Sequence, residues 1–279
     1  MATKIGAHVS IAGGVANAPK NAHDLKCECF QLFTRSPRGG ARKEIDFDKF
    51  FADCKKYGFE IGEDYIVHSP YYINLASLDE KIRKNSIRIL RDELETASEI
   101  KCPYVVTHLG SSKEQTKKEA QQKVLESLIA IYENYSNFSE LVLEIAAGSG
   151  NIMGDNLGEM KFYLDKLKKK NISVGFGFDT CHAFAGGYDL RTPEKVKKVF
   201  AEIDKKIGLK NLKFIHFNDS KTELDSKKDR HEHIGEGEIG AEGLGAVVQE
   251  AQKLGIHIYL ETNHDKIEED LKITKSFRE

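Results

Sequence analysis

FIHFNDSKTELDSKKDRHEHIGEGEIG, residues 214–240, begins as a strand and ends as a glycine-rich loop. The apolar run Leu212-Lys213-Phe214-Ile215 leads into it and stops on His216. A polar loop follows with Asp219, Asp229, His231 and His233, and Gly235, Gly237 and Gly240 close it. Imidazole and carboxylate both suit zinc, so such a loop can supply metal ligands. Asp229 and His231 stand two residues apart, and in an extended segment such residues point to the same side. Taken alone, this composition also fits a solvated loop that happens to hold histidines. What decides is recurrence: an apolar strand ending in a potential ligand appears again and again along the chain.

The expected strands are Ile5–Val9, Cys29–Phe33, Tyr65–His68, Tyr104–His108, Leu141–Glu144, Val174–Asp179, Leu212–Phe217 and Ile256–Glu261. Between them lie expected helices near Gly14–His23, Phe47–Tyr57, Leu78–Ile100, Lys113–Tyr135, Leu157–Lys170, Pro193–Ile207 and Leu244–Leu254, then Lys266–Lys275. In the third, Ile82, Ser86, Ile89, Leu90, Leu94, Ala97 and Ile100 recur at helical spacing. Thr192-Pro193-Glu194 reads as a helix start, Thr as cap and Pro in the first turn. Eight strand–helix alternations predict a parallel sheet covered by helices. Within 279 residues they fit a closed (β/α)8 TIM barrel better than an open sheet. Composition never breaks, so residues 1–279 are expected to form one domain.

The chain is 40% hydrophobic and 31% charged, as ordinary globular proteins are. No apolar run approaches the ~18 residues of a membrane span, and Met1–Gly6 lacks a signal-peptide layout; no membrane partner is expected. Five cysteines without a C-x-x-C pair do not make a disulfide framework and suggest reduced thiols in the cytoplasm. Gly13-Gly14, Gly148-Ser149-Gly150 and Gly186-Gly187 match neither dinucleotide nor P-loop patterns, so no nucleotide cofactor is expected. The formal net charge of −2 says little about a polyanionic partner, because bound divalent ions would reverse its sign.

The strand ends carry the chemistry. They reach His8, His68, His108, Glu144, Asp179, His216 and Glu261, one each from seven strands. Active sites of this barrel converge at the carboxyl ends of its strands. One buried histidine is usually a hydrogen-bonded core residue, but unpaired buried carboxylates are costly and a cluster of them needs cations. His182 lies just past the sixth strand, and Asp229 and His231 come from the loop after the seventh. Leaving His8 as a second-layer donor, His68, His108, Glu144, Asp179, His182, His216, Asp229, His231 and Glu261 suffice for about three ions with open positions.

The stretches GAHVSIAGG (Gly6–Gly14), FDTCHAFAGGYDLRTP (Phe178–Pro193), HFNDSK (His216–Lys221) and DRHEHIGEGEIG (Asp229–Gly240) resemble the endonuclease IV family of apurinic/apyrimidinic (AP) endonucleases. The resemblance covers almost the whole chain. It implies three zinc ions: one on His68, His108 and Glu144, a second sharing Glu144 with Asp179, His216 and Glu261, and a third on His182, Asp229 and His231. Glu144, Asp179 and Glu261 are then the catalytic carboxylates. The implied activity is hydrolysis of double-stranded DNA on the 5′ side of an abasic site, leaving a 3′-hydroxyl and a 5′-deoxyribose phosphate. Two metals ~3.5–4 Å apart can hold a hydroxide nucleophile between them and clamp an in-line displacement. Cys181 invites a nucleophile reading, but an inert core thiol is expected.

The match departs from the family in places. Arg38-Gly39-Gly40 stands where relatives often carry an aromatic after strand two, so Arg38 or Tyr71 is expected to fill the gap in the base stack. Asp225, Ile145-Ala146 and Asn263 replace other commoner residues, yet no ligand is lost. Arg35, Arg38, Arg42 and Lys43, with Lys227, Lys228 and Arg230, are expected on the active face, where phosphate contacts would position the duplex. Lys168-Lys169-Lys170 ends a helix at the opposite rim, favoured there by the helix dipole. A monomer is expected. The alternatives are a sugar isomerase or epimerase with one divalent metal, and a noncatalytic lesion-binding protein.

Overall fold

The computed structural model describes residues 2–40, 42–113 and 115–278. Its strands are β1 (Ile5–His8), β2 (Phe30–Leu32), β3 (Tyr65–His68), β4 (Tyr104–Thr107), β5 (Glu140–Glu144), β6 (Gly175–Asp179), β7 (Leu212–His216), the two-residue β8 (Asp219–Ser220) and β9 (His231–Glu232), and β10 (His257–Leu260). All but β8 and β9 pair in parallel around a closed barrel in chain order, and β10 returns to β1 with Ile5 beside Ile258. The helices are α1 (Ala18–Asp24), α2 (Phe47–Tyr57), α3 (Glu80–Glu99), α4 (Lys117–Tyr132), α5 (Leu157–Lys168), α6 (Thr180–Ala185), α7 (Pro193–Lys206), α8 (Gly240–Leu254) and α9 (Ile267–Ser276). This is the TIM barrel expected from the alternation. Among the described residues no helix is long and apolar enough to cross a membrane.

Period two places the functional layer. Cys29, Ile66, Val106, Val142, Phe214 and Tyr259 pack together as a small cluster apart from the main core, and Gly177 fits among them because a Cβ there would stand 2.4 Å from the Phe214 ring. Two residues further along the same strands come Gln31, His68, His108, Glu144, His216, Glu261 and Asp179. Side chains two apart share a face of a strand, so the layer above the apolar plug is polar on every one of these strands. The opposite faces, among them Phe30, Val67, Val105, Leu143, Ile215 and Leu260, pack against the helices in the main core.

Helix boundaries moved where a cap decides them. The helix expected from Lys113 starts at Lys117, because Thr116 and Glu119 close a capping box. The expected Gly14–His23 helix divides into a 3-10 turn, Val15–Asn17, and α1. Helix α6 was not expected; its six residues are all buried, leaving no amphipathic period to find. It is capped by Asp179, whose carboxylate accepts the backbone N–H of His182 at 2.6 Å. The cysteines are all free and buried.

Candidate metal centre

The three expected groups of donors meet at the carboxyl rim, each with ligand atoms within 4.8 Å of one another: His68, His108 and Glu144; Glu144, Asp179, His216 and Glu261; and His182, Asp229 and His231; Cys181 lies as close to Asp179 and His231. Glu144 belongs to two groups through its separate oxygens. Its Oε2 lies 3.5 Å from His68 Nε2 and 3.4 Å from His108 Nε2. Its Oε1 lies 2.7 Å from His216 Nδ1. In the third group His182 Nε2 and His231 Nε2 each stand 3.2 Å from a different oxygen of Asp229. The hairpin of β8 and β9 sets His231 in place, with Ser220 opposite.

The ring orientations are fixed from behind. Nδ1 of His68 faces the carbonyl of Ser69 at 2.7 Å, that of His182 the carbonyl of Ile145 at 3.0 Å, and that of His231 the carbonyl of Glu261 at 3.3 Å. Each of these three rings therefore turns Nε2 inward, the arrangement by which outer hydrogen bonds orient metal-binding imidazoles.

The inner atoms are short of partners. Glu144 is fully buried, and its Oε2 has no hydrogen-bond partner; neither has His231 Nε2. Burial pushes the His8 and His108 imidazoles down, to about 3 and about 4. At His216 burial acts the same way but Glu261 and Glu144 lift it to about 9, and at His231 Asp229 and Asp179 do likewise, to about 9. Burial would raise Glu144, yet His216 and His108 hold it well below the usual range. Asp179 stays raised by burial despite His182. Protons on the imidazoles thus balance the buried carboxylates wherever no cation does so. Orphaned carboxylate and imidazole atoms converging within ligand distance of one another fit divalent ions.

The chain matches the family model described as "Xylose isomerase-like TIM barrel" over residues 19–278. It is 39% identical to the "Probable endonuclease 4" of Cenarchaeum symbiosum (strain A), over 99% of this chain and 98% of that relative. The chain belongs to the endonuclease IV family. The crystal structure of endonuclease IV from Thermus thermophilus superposes with a TM-score of 0.83 at 29% identity, covering 99% and 98% of the two chains. A D-tagatose 3-epimerase-like protein superposes at 0.74 with 21% identity over 99% and 97%, a likeness of fold alone.

Around this endonuclease IV centre the other expected residues fall into distinct places. Arg35 departs from expectation: its side chain is buried and ion-paired to Glu93 and Asp92 of α3, with Thr34 Oγ1 donating to Glu93 at 2.5 Å. A guanidinium so enclosed ties the β2–α2 loop to the barrel wall and is not free for a phosphate. Arg38 is exposed beyond it. Lys227 is anchored by Asp225 at 2.7 Å and by the carbonyl of Gly186 at 2.9 Å. Lys228 and Arg230 are exposed, Arg230 Nη1 donating to the carbonyl of Asp229 at 2.6 Å. Tyr71 is 62% exposed, its ring edge-on to Phe33 and 5.5 Å from His68. Burial pushes the Cys181 thiol up to about 12, as suits an inert core residue.

Three buried polar residues were not anticipated in their roles. Gln31 touches His8, His216 and Glu261. Asn218 donates to Asp179 Oδ2 at 2.7 Å and accepts from the backbone N–H of Glu261 at 2.9 Å. Asp219, a ligand type by composition, instead accepts the backbone N–H groups of Ser220, Gly235, Gly237 and Ile239 at 2.8–3.1 Å. Counting two residues on from Cys29 would have singled out Gln31; nothing local marks the other two.

Proposed function

We propose that this chain is a zinc-dependent AP endonuclease that hydrolyses the phosphodiester bond 5′ to abasic sites in double-stranded DNA, leaving a 3′-hydroxyl and a 5′-deoxyribose phosphate. The observation that carries it is Glu144: one buried carboxylate serves two adjoining donor groups through separate oxygens, with the His182, Asp229 and His231 group alongside. These donors outnumber the needs of one ion and suit three zinc ions, two of which Glu144 would help to hold. When bound, such ions activate water near neutral pH and neutralise the oxygens of a phosphodiester in flight.

The protein's own contribution is placement. Glu144, Asp179 and Glu261 hold negative charge in a buried site and so draw cations to it. Tyr71 offers an exposed ring beside the centre for stacking where a base pair is opened. Arg38, Lys228 and Arg230, with Lys227 more restrained, are the phosphate contacts of the active face. Arg35 holds the loop that presents Arg38. The centre is complete within one chain, so a monomer suffices, and five buried thiols suit a reducing cytoplasm.

The rival is a sugar epimerase with a single metal, which the shared barrel alone would allow. Elemental analysis of the purified protein, paired with an end-labelled abasic duplex, separates them. About three zinc ions per chain and incision 5′ to the lesion are expected. One ion and turnover of a ketose without incision would replace this function with the rival.

A further inference from the structure

The side chain of Gln31, the middle residue of β2, is fully buried in the same layer as the candidate ligands. Its Nε2 donates to Glu261 Oε1 at 2.5 Å and lies 2.8 Å from His8 Nδ1, while its Oε1 is 2.7 Å from His216 Nε2. A carboxylate only accepts, so the amide must turn its nitrogen to Glu261 and its oxygen to His216. The oxygen in turn requires a proton on His216 Nε2. That leaves Nδ1 as the nitrogen whose lone pair can face an ion, and Nδ1 is the one beside Glu144 Oε1 and 3.5 Å from Glu261 Oε2. His216 is thus reversed with respect to His68, His182 and His231, whose Nδ1 atoms rest on backbone carbonyls. Among the described residues no carbonyl supports His216 in that way; a side chain from another strand does.

The geometry points to Gln31 as a positioning residue that selects the His216 tautomer and aims Glu261, and so assembles the ion position formed by Glu144, Asp179, His216 and Glu261. The role depends on that group holding an ion, as proposed above. Two of its four members would be misdirected without the amide, whereas the His182, Asp229 and His231 group makes no contact with it. Outer hydrogen bonds of this kind are worth ~10–100-fold in metal affinity.

The test is Gln31→Met, similar in length and without hydrogen-bonding capacity, with Gln115→Met as the control. Gln115 also makes hydrogen bonds through its amide, to the carbonyls of Ala76 and Ser112, but away from the centre. Zinc-loaded proteins are challenged with rising concentrations of a chromophoric chelator. In Gln31→Met one zinc of three should leave at ~10–100-fold lower chelator, the other two as in the wild type, and Gln115→Met should match the wild type. Unchanged retention, or equal loss of all three ions, overturns the proposal. Nitrogen-15 spectra of the zinc-loaded wild type supply a readout that needs no variant: His216 should carry its proton on Nε2, and a proton on Nδ1 instead overturns it even if Gln31→Met does not fold. A wild-type chain that binds no zinc at all ends both this role and the function on which it rests.

Discussion

His216 Nδ1 lies 2.7 Å from Glu144 Oε1 across the barrel, while the second oxygen of Glu144 faces His68 and His108 without a hydrogen bond. One carboxylate therefore faces two donor groups. Glu144→Gln should damage incision more than His182→Ala, because a neutral amide cannot hold two cations together and loss of one ligand from the third group leaves the pair. Incision rates and zinc content of both variants check this; near-normal activity in Glu144→Gln would falsify the bridging role.

Protonation should set opposite trends for the ion-free and loaded protein. In the ion-free fold His216 and His231 are lifted from 6.5 to about 9. A raised folded-state value contributes stability that is present below the unfolded value and lost as pH rises through the folded one. The ion-free protein should therefore lose melting temperature between about pH 6.5 and 9. Zinc must displace those protons, so its affinity should rise over the same window with measurable proton release. Calorimetric titration in buffers of differing ionisation enthalpy, beside melting curves of the stripped protein, reads both. A melting temperature that climbs through this window contradicts the assignment.

Basic residues near the active face should divide by burial. Lys228→Ala is expected to weaken binding to abasic duplex and to flatten its salt dependence by about one unit of slope, as for one phosphate no longer neutralised. Single-turnover rates at saturating DNA should hardly change. Arg35→Ala should act on stability, lowering it by about 3–5 kcal/mol in urea unfolding, because Glu93 is left buried and unpaired. Lys169→Ala, at the other rim, is the control for both. Equal weakening of DNA binding by Lys169→Ala would mean that the barrel ends are misassigned.

Gly237 packs where a side chain cannot. A Cβ there would meet the Ser220 carbonyl at 2.5 Å and Asp219 Oδ1 at 2.6 Å. Gly237→Ala should push Asp219 off the backbone donors it gathers and shift the loop bearing Asp229 and His231. A loss of about 1–3 kcal/mol and release of the third zinc ahead of the others are expected in unfolding and chelator titrations. Full zinc retention would show that the loop absorbs the change.

Bond chemistry separates hydrolysis from the lyase route at an abasic site, in which an amine forms a Schiff base and the strand breaks on the 3′ side. Among the described residues no lysine stands in the polar layer above the barrel plug. Incised DNA should thus carry a 3′-hydroxyl that a polymerase extends without trimming, and borohydride should trap no protein–DNA adduct. Stripping the metals should abolish incision. A trapped adduct, or activity surviving verified metal removal, rules out the hydrolytic mechanism whatever the fold.

The barrel and most of the centre were legible in the chain itself. A strand repeats every two residues, so an apolar residue facing the interior at Ile66, Val106, Val142, Phe214 or Tyr259 commits the residue two further on to the same side. His68, His108, Glu144, His216 and Glu261 follow from that local rule without knowledge of any partner. What only the tertiary structure decided are relations between distant segments. Arg35 reads as a free loop cation until Glu93, 58 residues away, encloses it. Asp219 has the composition of a ligand and becomes a backbone acceptor because the glycine loop folds over it. Helix α6 is too short and too evenly buried to show a period, yet its first turn, capped by Asp179, delivers His182. Local periodicity fixes the side of an element on which a residue lies; which charge or hydrogen bond meets it there depends on how the chain closes on itself.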